Sequence, residues 1–285
     1  MRKILLCLDS DPQPSVFDGV VAVDAGADHL FRHGGVQPAD VQALVHGAMF
    51  TRGGDDLKHT AVFVGGSDIA AGERLLEAVT KSFFGPVRVS AMLDSNGSNT
   101  TAAAAVVAAG RHLDLGSSTT AVVLGTGAVG LRAALMLAAE GVRVRLASRT
   151  QERAAAACAT LADKGLAGAV EPFSSSADAL AATLGGAQAL ISAGPAGVTM
   201  VDEATRSAAG SLRVAIDLNA VPPLGLAGIE VTDKAAERNG QTCYGALGVG
   251  GLKMKIHKAA LQSLFERNDA LLDAAEIYAV GKSLG

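Results

Sequence analysis

The sequence predicts an α/β protein of two domains, on three observations. Thr120-Ala-Val-Val-Leu-Gly125-Thr-Gly127-Ala-Val-Gly130 reads as a strand, a glycine turn and the start of an Ala/Leu-rich helix, and Val142-Arg-Val-Arg-Leu-Ala-Ser148-Arg149 reads as the next strand. Upstream, His59 to Gly66, Asp68 to Phe84 and Val87 to Leu93 read as a separate strand–helix–strand unit, which pairs its strands in parallel. A length of 285 residues lets each domain bury a core of its own.

The glycine turn is a dinucleotide fingerprint of the Rossmann type. Gly125 permits the sharp exit from the strand, Gly127 lets backbone approach a pyrophosphate, and Gly130 lets the helix pack closely on the strand. Thr126, Ala128 and Val129 complete the loop at the helix amino end, where phosphates are favoured. A carboxylate at the end of the second strand would hold the ribose hydroxyls of NAD. Ser148-Arg149-Thr150 stands there instead, and a guanidinium flanked by hydroxyls suits a 2′-phosphate, so the expected cofactor is NADP. The competing reading is a glycine turn in a nucleotide-free domain, with Arg149 merely solvated.

In chain order, Met1-Arg-Lys-Ile-Leu-Leu-Cys-Leu-Asp9 superficially resembles a leader segment. Asp9 and Asp11 cut the apolar run short and no small-residue cleavage site follows, so a first buried strand over about residues 3–9 is expected. Asp11 to Gly19, with Pro12 and Pro14, breaks regular structure, and Val20 to Ala27 is a helix or a short strand. The helix from Asp68 turns Ile69, Leu75, Leu76 and Val79 inward. The strand ending at Leu93 delivers the chain to Asp94-Ser-Asn-Gly-Ser-Asn-Thr-Thr101, ahead of an alanine-rich helix that runs to about Ala109. Ligands of open α/β sheets lie beyond the carboxyl ends of strands, which makes this polar loop a candidate site. Ser98 or Asn99 serves equally well as a helix cap there, a role compatible with ligand contacts by its neighbours.

Gly116-Ser117-Ser118 marks the expected hinge. Beyond it, Gln188 to Ile191 is a strand that runs into Ser192-Ala193-Gly194-Pro195, and Arg213 to Asp217 another that runs into Leu218-Asn219-Ala220. Both loops are expected to face the cofactor, adding Ser192, Ala193, Gly194 and Asn219 to its contacts. Gly245 to Gly251 introduces a helix carrying Lys253, Lys255, His257 and Lys258, and a final helix covers Asp273 to Lys282. The expected organisation is a substrate domain of residues 1–115 with about 252–285, a nucleotide domain of residues 116–251, and a cleft between them.

Hydrophobic residues make up 49% of the chain, but each apolar run is interrupted before the length needed to cross a bilayer. A net charge of −4 offers no basic surface of the kind nucleic acid demands. Cys7, Cys158 and Cys243 are odd in number and far apart, which argues against a disulfide framework and for a reducing cytoplasm. His29, His33, His46, His59, His112 and His257 lack metal-ligand spacing, so no metal is expected. Tyr278 and Lys282 form a Tyr-x-x-x-Lys pair, read as a coincidence because the glycine turn lies so far from the amino terminus.

Pro14-Ser-Val-Phe-Asp18, Phe63-Val-Gly-Gly66, Phe83-Phe-Gly-Pro86, Asp94 to Thr101, Gly125-Thr-Gly127 and Gly248-Val-Gly-Gly-Leu-Lys253 together resemble the bacterial NADP-dependent methylene-tetrahydromethanopterin dehydrogenases, whose close relatives also accept methylene-tetrahydrofolate. The resemblance covers nearly the whole chain. It implies a two-domain subunit, a homo-oligomer, and hydride transfer from the methylene bridge of a reduced pterin to NADP. It also implies pterin contacts from Asp94, Ser95, Asn96, Asn99, Thr100 and Thr101. Phe17 and Asp18, just beyond the first strand's exit, are expected to border the same site, and a packed Phe and a helix cap are the alternative reading of them. On periodicity alone Lys253 is a solvated helix lysine; the resemblance assigns it to the pterin or reacting ring, as the catalytic residue. In the family's close members the position of Ser148 is a glycine followed by arginine and lysine. Thr150 replaces that lysine here and leaves Arg149 as the main 2′-phosphate partner.

The implied reaction needs no general base, because the product cation is stabilised by its own nitrogens, and no Ser/His/Asp or Cys/His constellation is found. Positioning the reacting carbons within about 3 to 3.5 Å is the main requirement. Two other functions are weighed. A shikimate-dehydrogenase type of enzyme needs a proton acceptor, commonly a lysine in the loop after the substrate-domain strand, and Asp94 to Thr101 contains none. A catalytically silent NADP-sensing protein would bind NADPH and turn over no pterin. Cyclohydrolase activity is not expected, since the first domain shows no Lys–Tyr pair.

Overall fold

The computed structural model describes residues 1–161 and 168–285. Its elements in chain order begin with β1 (Ile4–Asp9), α1 (Val16–Asp24), β2 (His29–His33), α2 (Pro38–Met49), β3 (Thr60–Gly65), α3 (Ile69–Lys81), β4 (Ser90–Leu93) and α4 (Ser98–Gly110). They continue with β5 (Thr120–Leu124), α5 (Ala128–Ala139), β6 (Arg143–Ser148), α6 (Gln151–Leu161), β7 (Val170–Ser174), α7 (Ala177–Leu184), β8 (Ala189–Ser192), α8 (Glu203–Ala208) and β9 (Val214–Asp217). The chain closes with β10 (Lys234–Arg238), β11 (Gln241–Tyr244), α9 (Ala246–Ser263), β12 (Leu271–Leu272) and α10 (Ala274–Ser283). Two compact units result, Met1–Thr100 with Met254–Leu284, and Thr101–Lys253 with Gly285.

The first unit is built on an all-parallel sheet of order β12-β4-β3-β1-β2. Strands β1 and β3 are almost wholly apolar because both of their faces are covered. Leu6, Leu8, Val62 and Val64 from the strands meet Val41, Val45 and Met49 of α2 and Leu75 and Val79 of α3 in one core. The strand order reverses between β1 and β3, so their carboxyl ends form a topological switch point.

Local chemistry moves several boundaries away from the sequence expectation. The Ser15 hydroxyl accepts from the Asp18 amide, and this cap starts α1 at Val16, which removes the strand option for Val20 to Ala27. Strand β4 is shorter than Val87 to Leu93, because Phe84 and Val87 exchange backbone hydrogen bonds around a turn that contains Pro86. Along α3, Leu75, Leu76 and Val79 are buried while Ile69, in the first turn, is half-buried. Strand β2 escapes a hydrophobicity reading because it is the sheet edge and its side chains are exposed or half-exposed.

The second unit holds a sheet of order β10-β11-β9-β8-β5-β6-β7, parallel except for β10 against β11. Here the reversal lies between β5 and β8, the doubly wound arrangement of Rossmann-type domains. The β10–β11 hairpin turns at Asn239 and Gly240, both at positive φ, as a two-residue Asn-Gly turn requires.

The first division between units falls inside α4 at Thr101, ahead of residue 116. Ala102 to Ala105 are fully buried and the helix continues unbroken, so no change of composition marks the place. Gly116 to Ser118 lie within the second unit, in a turn before β5 closed by the Thr119 amide on the Gly116 carbonyl.

Candidate active site

In the second unit the switch point is occupied by the glycine turn. Gly125 has φ +108°, and a Cβ there would stand 2.4 Å from the Ala193 carbonyl oxygen. At Gly130 it would stand 2.0 Å from the Gly125 carbonyl oxygen, so the helix and the turn touch through bare backbone. A Cβ on Gly127 would meet nothing within 4 Å. Gly127 is also the N-cap of α5 and has no side chain to fill the helix amino end, where Thr126, Ala128 and Val129 are half-buried. The ladder of β6 with β7 ends at Ser148, which is buried, and Arg149 and Thr150 stand exposed beyond it. The Thr150 hydroxyl accepts from the Arg153 amide and starts α6. An open cradle, an uncapped helix end and a cation at the next strand end together fit a dinucleotide with a 2′-phosphate.

The loops after β8 and β9 lie beside this turn. The Ala193 amide donates to the Leu124 carbonyl at 2.8 Å and the Leu218 amide to the Ser192 carbonyl at 3.0 Å, which sets the strand ends side by side. Gly194 faces Met200, whose Sδ lies 2.9 Å from the place of a Cβ. Asn219 is buried, and its side chain is engaged within its own loop: Nδ2 donates to the Pro223 carbonyl at 3.2 Å and Oδ1 accepts from the Val221 amide at 2.9 Å. Asp217, expected only as the end of a strand and not among the site residues, is fully buried and accepts from the Asn219 amide at 3.1 Å and the Leu226 amide at 2.9 Å. Burial pushes its carboxyl above the ordinary range, and these backbone donors oppose the shift.

In the first unit the polar loop lies against the switch point. The Asp94 amide donates to the Val64 carbonyl, the Asn96 amide to the Gly66 carbonyl at 2.7 Å, and the Ser95 hydroxyl to the Gly65 carbonyl at 3.0 Å. Asp94 is fully buried and caps α4: Oδ1 accepts from the Asn99 and Thr100 amides, and Oδ2 accepts from the Thr100 hydroxyl at 2.7 Å. The cap is thus Asp94, several residues before the expected Ser98 or Asn99. Asn99 is buried and donates to the Leu93 carbonyl and the Asp273 carboxylate. Ser95 and Thr100 are buried as well, whereas Asn96 is exposed at φ 54° and Thr101 is half-buried.

Helix α1 brings Phe17 and Asp18 to the same edge. An Oδ2 of Asp18 lies 3.8 Å from where a Cβ on Gly65 would stand, and an Oδ2 of Asp9 lies 3.3 Å from it. Phe17 is 51% exposed, with its ring centroid 6.4 Å from that of buried His257, which stacks on Phe63 at 5.8 Å. Lys253 is half-buried one helical turn before His257 on α9, and positions four apart share a helix face. The sequence assigns Phe63 no role in the site and makes His257 a surface or helix-end residue, whereas His257 is fully buried. Their adjacency comes from two elements nearly two hundred residues apart, although the Phe63-Val-Gly-Gly66 string was visible. Among the described residues, no group of three or more His, Cys, Asp or Glu side chains is placed to hold a metal ion. The three cysteines form no disulfide, and burial pushes the Cys7 thiol up to about 12.

A family model described as methylene-tetrahydromethanopterin dehydrogenase, N-terminal, matches residues 16–96, the segment that carries Phe17, Asp18 and Asn96. Kinship extends well beyond it. The protein named bifunctional protein MdtA of Methylorubrum extorquens is 44% identical over 287 residues, covering 99% of each chain. The chain belongs to the methylene-tetrahydromethanopterin dehydrogenase family. A second relative from the same organism, named NAD(P)-dependent methylenetetrahydromethanopterin dehydrogenase, is 32% identical over 97% of each chain. Among solved structures, the 5-ketofructose reductase of Gluconobacter sp. strain CHM43 gives a TM-score of 0.53 at 17% identity, covering 100% of this dehydrogenase-family chain and 99% of that one. The shikimate dehydrogenase of Mycobacterium tuberculosis gives 0.51 at 18% identity, covering 99% and 100%. At such identities the likeness is one of fold.

Proposed function

We infer that this dehydrogenase oxidises methylene-tetrahydromethanopterin to the methenyl form, with methylene-tetrahydrofolate as the second substrate to be tested. The observation that carries the reading is 44% identity along the full chain with the glycine turn intact at its switch point. NADP, when bound, supplies the hydride acceptor. The chain's own residues bind, orient and exclude water; the product cation is stabilised by its flanking nitrogens, so no side chain has to take up a proton.

In this reading the second unit holds NADP. The backbone of Gly125, Thr126, Gly127, Ala128, Val129 and Gly130 faces the pyrophosphate, and Arg149, with Ser148 and Thr150, takes the 2′-phosphate. Ser192, Ala193, Gly194 and Asn219 shape the far side. The first unit holds the pterin through Phe17, Asp18 and Asn96, with Asp94, Ser95, Asn99 and Thr100 fixing the loop that presents Asn96, and Thr101 adds a contact at the loop's end. Lys253 contacts the pterin or reacting ring and favours the geometry of transfer. A shikimate-type alcohol oxidation is disfavoured by the lack of lysine in Asp94 to Thr101. Among the described residues, no helix is long and apolar enough to cross a membrane. A cytoplasmic homo-oligomer whose partner is the reduced pterin belongs to this reading through the family resemblance alone.

Absorbance at 340 nm tests the reading directly, with NADP and NAD run against both methylene pterins. Fast NADP reduction is the expected outcome, and NADPH binding without turnover of either pterin would leave an NADP-sensing protein. Lys253→Ala is expected to lower kcat/KM by about 100-fold, equivalent to about 2.7 kcal/mol, with NADPH affinity unchanged. Light scattering reads the homo-oligomer.

A further inference from the structure

We propose that Asp217 is a positioning residue of the hydride-transfer site, holding the loops after β8 and β9 in the form that receives the nicotinamide half of NADP. The proposal rests on the NADP reading above. Strands β8 and β9 end next to the switch point, and ligands of such sheets lie beyond those ends. The chain leaves β9 at Leu218, and the Asp217 carboxylate draws it back: Oδ1 takes the Asn219 amide and Oδ2 takes the Leu226 amide. Gly225 is drawn in so tightly that a Cβ there would stand 2.5 Å from the Ser192 hydroxyl and 2.8 Å from an Asp217 oxygen. The buried Ser192 hydroxyl lies beside the carboxylate, short of standard hydrogen-bond geometry. Its successor Ala193 backs directly on Gly125. One buried carboxylate therefore sets the path of both loops and abuts the turn expected to carry the pyrophosphate.

A buried carboxylate is costly unless its acceptors are used. An amide in its place offers a single acceptor oxygen and turns an NH2 group toward one of the backbone donors. The β9 loop would then open while the strands remain paired. The adenosine half of the cofactor, held at Arg149, does not depend on this loop.

The test compares NADPH with 2′,5′-ADP, which keeps the 2′-phosphate and lacks the nicotinamide. In Asp217→Asn, NADPH is expected to bind about tenfold more weakly while 2′,5′-ADP binds unchanged, and the deuterium isotope effect on NADP reduction rises. Equal loss of both affinities would make Asp217 a general scaffold residue, and an unchanged NADPH affinity would remove any role; either result overturns the proposal. Should Asp217→Asn fail to fold, Gly225→Ala, whose methyl would stand 2.8 Å from an Asp217 oxygen, reads the same ratio from outside the cofactor contacts, with about a threefold change expected and no change overturning it. Failure of the unsubstituted enzyme to bind either ligand would instead remove the NADP reading, and the proposal with it.

Discussion

The loop Asp94 to Thr101 and the turn Gly125 to Gly130 occupy equivalent places, each leading from a parallel strand into a helix. Their helix ends are treated in opposite ways. Asp94 is buried and fills the amino end of α4 with its own carboxylate, while Gly127 leaves the amino end of α5 bare beneath open space. A helix amino end attracts an anion in both cases. In the first the chain supplies that anion, and in the second it leaves the place unfilled, which is what the proposed NADP site requires. Polar residues at a strand end are therefore weaker evidence of ligand contact than glycines, because they are the residues best able to satisfy the helix themselves.

The sharpest way to break the comparison is Gly130→Ala, whose methyl would lie 2.0 Å from a backbone oxygen that cannot swing away. A loss of about 3 kcal/mol in stability is expected, together with loss of NADPH binding. Thermal unfolding and NADPH titration check it, and near-normal values for both would show that the turn has slack. Next in size, Asp94→Ala removes the acceptors of two backbone amides and a hydroxyl, and is expected to cost about 2 to 4 kcal/mol in denaturant unfolding. A stable Asp94→Ala enzyme with a defect confined to pterin affinity would restore Asp94 as a ligand residue.

Gly127→Ala sharpens the other side, since its methyl enters open space. Stability within about 1 kcal/mol of the parent and NADPH affinity about tenfold weaker are expected, separating approach of a ligand from packing. The smallest effect belongs to Asn96→Gly, which keeps the positive φ while deleting the exposed amide. An increase of about threefold in the pterin KM, with unfolding unchanged, is expected. An unchanged KM would remove Asn96 from the site and leave Thr101 as the loop's remaining contact.

The legibility of the molecule followed the range of the interactions involved. Strands β1, β3 and β5 were readable because burial on both faces forces long apolar runs, and the glycine turn because its spacing encodes its geometry. Strand β2 and the start of α1 were missed because an exposed edge carries no hydrophobic signal and one Ser15 cap outweighed two nearby prolines. The Asn239-Gly240 hairpin was legible in principle from that dipeptide. Asp217 was visible as a strand-end carboxylate, but the partner that defines it, Leu226, lies nine residues on in an irregular loop.

By itself the sequence determined the α/β class, the dinucleotide turn, the missing carboxylate at Arg149, and the family likeness, because each is written in local spacing or short strings. The tertiary structure decided which of those residues remain available to a ligand. It buried Asp94 as a cap, exposed Asn96, turned Asn219 into its own loop and placed Asp217 at the junction of two loops. Availability depends on hydrogen bonds closed between strand ends that are distant in sequence, and local spacing carries no record of them.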